Sequence, residues 1–190
     1  MTEHNTADAA ELELQLLVLR CQTGDERAFA QLMNRFAGRT LEYARRLVGD
    51  SAEDVQQEVW LAVYRGIAGL ATPRAFRTWL FRTTRHRVVD VLRKQNRERE
   101  LMDDVPIEEI PDRGVARESL DDEDAWSSKS MLDSLDRLPV AQREVLVLRY
   151  QHDMSYAQIA LIAGCSIGTV RSRLHYAKRQ LQELLRGATR

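Results

Sequence analysis

The fold turns on MSYAQIALIAGCSIGTVRSRLHYAKRQL, Met154–Leu181: a short apolar-periodic segment, a glycine, then a longer segment crowded with cations. Ser155 stands where an N-cap belongs, ahead of Ile159, Ala160 and Ile162. Gly164 supplies the residue that takes positive φ at the helix end, and Ser166 is placed to cap the next helix. The pattern predicts a helix-turn-helix. On a helical wheel of its second helix, Val170, Leu174, Ala177 and Leu181 form one narrow stripe that must pack on the first. Gly168, Ser172, His175 and Arg179 point the other way, with Arg171 and Lys178 on one flank. Cations on the exposed side of such a helix suit phosphates and guanine edges in a major groove. A plain three-helix module with a charged outer face would share the stripe, but the turn glycine, both caps and the cation placement together favour DNA binding.

Why a chain with a net charge of only −1 concentrates cations here is answered by segregation. Arg65, Arg74, Arg77, Arg82, Arg85, Arg87, Arg93, Lys94, Arg97 and Arg99 are opposed only by Asp90 and Glu98 within the same block. The stretch from Glu100 to Asp136 reverses the balance, with the run Asp121 to Asp124 at its acidic centre and Pro106, Pro111 and Gly114 as breakers. It reads as an acidic linker between two basic modules. One basic block is usually a solvated helix face; two, each on a compact helical pattern, point to polyanion binding.

At 190 residues, without an apolar run long enough for a membrane span, the chain has the size of one or two small domains. Its start, MTEHNTADAAELELQLLVLR, is acidic and unlike an export signal, so a cytoplasmic location is expected. Cys21 and Cys165 are far apart, with no CxxC or Cys/His ladder; they read as two small apolar side chains. His4, His86, His152 and His175 are scattered over different segments, and no carboxylate pair sits beside any of them. No catalytic residue, metal site or cofactor is expected, and the chain is not expected to be an enzyme.

Helical spacing runs nearly throughout, in Leu12, Leu16 and Leu19, in Phe29, Leu32, Met33 and Phe36, and in Leu41, Ala44 and Val48; an all-α fold without β-sheet follows. Gly49 and Asp50 break the pattern, and Ser51 with Asp54 carries a capping-box signature for the next helix, SAEDVQQEVWLAVYRGI. There Val55, Val59, Ala62 and Val63 make the inner stripe, leaving Asp54, Gln57, Glu58 and Leu61 outside. A segment with Gly69, Thr72 and Pro73 leads into a long basic helix, FRTWLFRTTRHRVVDVLRKQ, with Trp79, Leu80 and Val88 to Leu92 as core candidates. The last module is expected from Met131, with a helix break at Pro139.

LPVAQREVLVLRYQHDMSYAQIALIAGCSIGTVRSRLHYAKRQL resembles the fourth region of bacterial sigma factors of the extracytoplasmic-function group. SAEDVQQEVWLAVYR followed by FRTWLFRTTRHRVVDVLR resembles their second region, with GDERAFAQLMNRF as the usual lead-in. Order and separation of these motifs make the resemblance strong. It implies two small helical domains on a flexible acidic linker: a region 2 helical bundle over 1–99, a linker over 100–130, and a region 4 helix-turn-helix over 131–190.

The resemblance also implies roles. Asp54, Gln57, Glu58 and Leu61 would dock on the clamp helices of the largest subunit of core RNA polymerase, and the second domain on the flap of the second-largest subunit. The Gly69 to Arg77 loop, with Leu70, Arg74 and Arg77, would cup a flipped base of melted minus-ten DNA, while Arg82, Arg85, His86 and Arg93 follow the strand. Arg171, Ser172, His175 and Arg179 would reach base edges of the minus-thirty-five duplex, with Arg173 and Lys178 better placed for phosphates. An anti-sigma factor is an expected partner, and membrane insertion is not. The chain departs from the family pattern at His86, where asparagine is frequent, and at Tyr176 and Lys178, where arginines are frequent. His86 is open to a second reading as a partly buried helix residue. The acidic linker reads either as a self-repelling spacer or as a chain threading a basic channel of the polymerase, with Val105, Ile107, Ile110 and Trp126 as anchors. A stand-alone helix-turn-helix regulator is the alternative, and it leaves the first basic module and the acidic face unexplained.

Overall fold

A computed structural model of the chain describes residues 2–100 and 134–188, with side chains placed for 8–97 and 134–184. Residues 101–130 of the expected linker, its candidate anchors and the expected domain start at Met131 lie outside these. The chain divides between Lys94 and Gln95 into two compact units. Among the described residues every regular element is helical.

The first unit begins with α1 (Thr2–Gln22) and α2 (Glu26–Val48), joined by a turn whose chemistry is local. Gly24 takes φ +86°, and Asp25 Oδ1 accepts from Ala28 N at 3.0 Å to cap α2. Arg20 donates to the other carboxylate oxygen through Nε and Nη2 at 3.0 and 2.8 Å. The Ala28 amide first, and the Arg20 guanidinium second, hold the Asp25 carboxyl below its ordinary value. A 3-10 turn, Gly49–Ser51, leads into α3 (Ala52–Gly66). Two more 3-10 turns, Ile67–Gly69 and Pro73–Ala75, bend the chain into α4 (Phe76–Glu100), which belongs to this unit as far as Lys94. Of the expected stripe Val55, Val59 and Val63 are buried and Ala62 is half-buried, and the valines share a core with Leu32, Phe36, Tyr43, Phe76, Leu80 and Phe81. Edge-to-face pairs lock α2 to α4: Phe36 on Phe76 at 5.4 Å and Tyr43 on Phe81 at 5.5 Å between centroids.

Two local expectations are corrected, at Ser51 and in α4, and α1, helical as expected, buries a stripe other than its leucine repeat. Leu12, Leu16 and Leu19 are 60, 63 and 46% exposed, whereas Leu14, Val18 and Cys21 are buried. The α1 segment is apolar on more than one face, so its period alone does not select the stripe that α2 covers. Ser51 does not cap α3 with its side chain, because the 3-10 turn puts its backbone at φ −75°, ψ 0° rather than in the extended conformation a cap needs. In α4 Val88 is buried, but Val89, Val91, Leu92 and Trp79 are half-buried and Asp90 is exposed. Trp79 lies over Gly66, where an added Cβ would stand 3.1 Å from its Cζ2.

In the second unit Pro139 precedes α5 (Val140–Leu146), whose last turn widens into a π-turn, Val147–Gln151. The helix-turn-helix follows as α6 (Tyr156–Ala163) and α7 (Ile167–Ala188). Ser155 and Gln158 form a reciprocal capping box, with Gln158 N to Ser155 Oγ at 3.3 Å and Ser155 N to Gln158 Oε1 at 2.9 Å. Gly164 adopts φ 64°, ψ 38°, the left-handed end the sequence called for. Ser166 Oγ accepts from Thr169 N at 3.0 Å and starts α7. Val170, Leu174, Ala177 and Leu181 are all buried, together with Leu148, Met154, Ile159 and Ile162.

Candidate functional site

The described candidate residues fall on three surfaces, each a by-product of which stripe its helix buries. On α3, burying Val55, Val59 and Val63 turns Asp54, Gln57, Glu58 and Leu61 to the exterior. Leu61 is 49% exposed, and Tyr64, one turn further on, is 58% exposed and continues the same face. Tyr64 was not singled out in the sequence, although its spacing of three from Leu61 carried the signal. Its ring is braced edge-to-face by Phe29 at 5.2 Å. Acid, amide, leucine and tyrosine side by side are what an interface with a basic, partly apolar partner needs. Arg87 of α4 reaches Glu58 at 3.6 Å and Asp90 at 3.8 Å, tying this face to the next helix.

The second surface is the loop between α3 and α4 with the outer side of α4. Leu70 is half-buried where the chain leaves the Ile67–Gly69 turn, Arg74 is exposed in the Pro73–Ala75 turn, and Arg77 is half-buried. Along α4, burial of Leu80, Thr84 and Val88 leaves Arg82, His86 and Arg93 exposed and Arg85 half-buried. The Thr84 hydroxyl donates to Leu80 O at 2.9 Å, which lets a polar residue sit inside without cost to the basic outer side. Of the two readings left open for His86, the partly buried one does not hold. Sequence reasoning missed Gln22, whose Nε2 donates to Ile67 O at 3.1 Å and Leu70 O at 2.7 Å, holding the loop from the end of α1.

The third surface is α7. Arg171 and Arg179 are exposed, while Ser172, Arg173, His175 and Lys178 are half-buried. Arg171 has no ion pair among the described residues. Arg179 pairs with Glu183 one turn on at 3.3 Å, and Ser172 Oγ donates to Gly168 O at 3.1 Å. Arg173 Nη1 lies 3.9 Å from Cys165 Sγ in the turn. Lys178 Nζ stands 5.2 Å from the Tyr150 ring centroid, a cation–π contact back to the π-turn. Cys21 is buried, and that burial, with the Asp25 charge adding to it, pushes its thiol pKa up, which suits a small apolar side chain. No cluster of His, Cys, Asp and Glu suited to a metal ion occurs among the described residues.

Regular elements that are all helical among the described residues, one unit with a helix-turn-helix and one with both an acid face and a basic helix, fit a two-region transcription initiation factor. Residues 32–98 match the family model for sigma-70 region 2, and residues 128–181 that for sigma-70, region 4. The chain is 32% identical over 194 residues to the RNA polymerase sigma-H factor of Pseudomonas aeruginosa, covering 92% of this chain and 96% of that one. With the ECF RNA polymerase sigma-E factor of Escherichia coli strain K12 it shares 31% identity over 176 residues, 88% of this chain and 92% of the relative. Among solved structures, that of the sigma factor RpoE in complex with the anti-sigma factor NepR from Bartonella quintana superposes with a TM-score of 0.65 at 29% identity, over 83% of this chain and 96% of that one. The chain belongs to the sigma-70 family of RNA polymerase sigma factors, in its extracytoplasmic-function group. It is a promoter-directing factor for core RNA polymerase. A stand-alone regulator is not favoured, since it would account for the region 4 match and leave that over 32–98 without a purpose.

Proposed function

We propose that the three surfaces divide the work of initiation. Region 2 over 1–99 docks on the clamp helices of the polymerase's largest subunit through Asp54, Gln57, Glu58 and Leu61. The same region receives melted minus-ten DNA on Leu70, Arg74, Arg77, Arg82, Arg85, His86 and Arg93. Region 4 over 131–190 reads the minus-thirty-five duplex, with Arg171, Ser172, His175 and Arg179 toward base edges and Arg173 and Lys178 toward phosphates, and seats on the flap of the second-largest subunit. The acidic linker spans 100–130. The observation that carries this reading is the partition of α7, whose buried stripe of Val170, Leu174, Ala177 and Leu181 leaves the cationic side outward at the helix-turn-helix position where a recognition helix meets DNA.

The protein acts in the cytoplasm, as a binding factor rather than an enzyme; no described helix is long and apolar enough to cross a membrane. An anti-sigma factor holds it inactive, a reading supported by the relative from Bartonella quintana, whose structure is a complex with one. The test is capture of core RNA polymerase followed by run-off transcription from a promoter panel. Stoichiometric capture with transcripts from a subset of promoters is expected; DNA binding without polymerase capture would overturn the docking assignment.

A further inference from the structure

We infer that Gln22 is a positioning residue for promoter opening: its amide fixes the bend of the loop that receives the unstacked minus-ten base. Gln22 ends α1, yet both its side-chain bonds go to carbonyls 45 and 48 residues away, Ile67 O at 3.1 Å and Leu70 O at 2.7 Å. Both amide hydrogens are committed, and two carbonyl partners leave the amide one orientation. The acceptors bracket the 3-10 turn Ile67–Gly69. Carbonyls at a helix end have no partner further along the helix. Ile67 O already accepts from Leu70 N at 3.1 Å, and Gln22 takes its remaining lone pair. Leu70 itself is extended, at φ −71°, ψ 108°, so the shorter bond grips the first residue beyond the turn. Swinging Leu70 outward breaks one bond, and unwinding the turn strains the other.

The clamp is itself anchored. Cys21, the preceding residue, is buried; Thr23 N bonds back to Leu19 O and Arg20 O, Gly24 N to Cys21 O, and Asp25 N to Arg20 O. The Arg20–Asp25 pair closes the turn at 2.8 Å. The loop is thus tied to the α1–α2 junction in addition to running into α4, where the phosphate-following arginines sit. A track of phosphates tolerates a moving loop, because the charge is spread along a strand; a pocket for one base does not. The inference rests on the minus-ten reading proposed above, and its test separates the two.

Holoenzyme reconstituted from core RNA polymerase is titrated with single-stranded minus-ten oligonucleotides, intact or carrying one abasic site walked through the strand, and the affinity ratio is read at each position. Gln22→Met keeps the length and removes the donor; Gln22→Glu sets an acceptor against two acceptors. The wild type is expected to show one position with a large abasic penalty, and both variants to shrink that penalty by about tenfold, the net worth of one to two hydrogen bonds. Affinity for a minus-thirty-five duplex should not change. Partial unfolding would lower intact and abasic affinities together and leave the ratio alone, so the ratio reports loop geometry. A packing role would leave both near-isosteric variants discriminating. A discriminating wild type beside variants within twofold of it overturns the role of Gln22 alone, whereas a wild type indifferent at every position overturns the base-pocket reading and this inference with it.

Discussion

Arg171→Ala and Lys178→Ala should fail in different ways, and the difference follows from where α7 holds each side chain. Arg171 is exposed and has no ion pair among the described residues, so truncating it should change the stability of the free protein by no more than about 0.5 kcal/mol. Its loss is felt only on DNA, at about 1–3 kcal/mol for a side chain that reads a base edge, or roughly 5- to 150-fold in affinity. It should also flatten preference at a single promoter position. Lys178 is half-buried with its ammonium 5.2 Å from the Tyr150 ring. Removing it should weaken all promoters alike and reduce the salt slope by about one. It should also lower the melting temperature, since a cation–π contact contributes about 0.5–1 kcal/mol. The assay is holoenzyme binding to a promoter library across a salt series, with thermal melts of each free variant. Val170→Asp is the control: it sets a carboxylate into the buried seam between α6 and α7 and should unfold the second unit. Identical library profiles and salt slopes for Arg171→Ala and Lys178→Ala would refute the assigned face of α7.

Reversing Asp54 and Glu58 to Lys should cut affinity for core polymerase by about 100-fold or more through like-charge contact. The helix should stay intact by circular dichroism, because the only described ion pair lost, Glu58–Arg87 at 3.6 Å, is exposed and worth less than about 1 kcal/mol; unchanged affinity would move the docking face elsewhere. Gly66→Ala should lower the melting temperature despite alanine's better helix propensity, because the new Cβ meets Trp79 Cζ2 at 3.1 Å; a net loss on the order of 1 kcal/mol is expected, and a raised melting point would contradict it. Asp25 has a folded-state pKa held below the ordinary 3.8, so its stabilising effect is present above that value and is lost as pH falls through the folded one. Urea midpoints measured from pH 5 down to pH 2 should therefore converge between wild type and Asp25→Ala, and a constant gap would argue against this linkage.

The α6–α7 module was legible residue by residue because every determinant is local. A capping box spans four residues, a left-handed end needs one glycine, and α7 is apolar on a single stripe, so burial of Val170, Leu174, Ala177 and Leu181 had no competitor. The outward face of α3 was fixed in the same way by its valines. Tertiary packing decided the rest. Which of the two apolar stripes of α1 goes inward depends on α2, and the choice of Leu14, Val18 and Cys21 over Leu12, Leu16 and Leu19 is invisible to a period count. The bond of Gln22 to Leu70, the stacking of Lys178 on Tyr150 and the reach of Arg87 to Glu58 each join residues whose separation along the chain carries no periodic signal. Sequence periodicity sets which face a helix can bury; the angle and register at which its neighbour arrives set which side chains then touch, and only the folded chain contains that information.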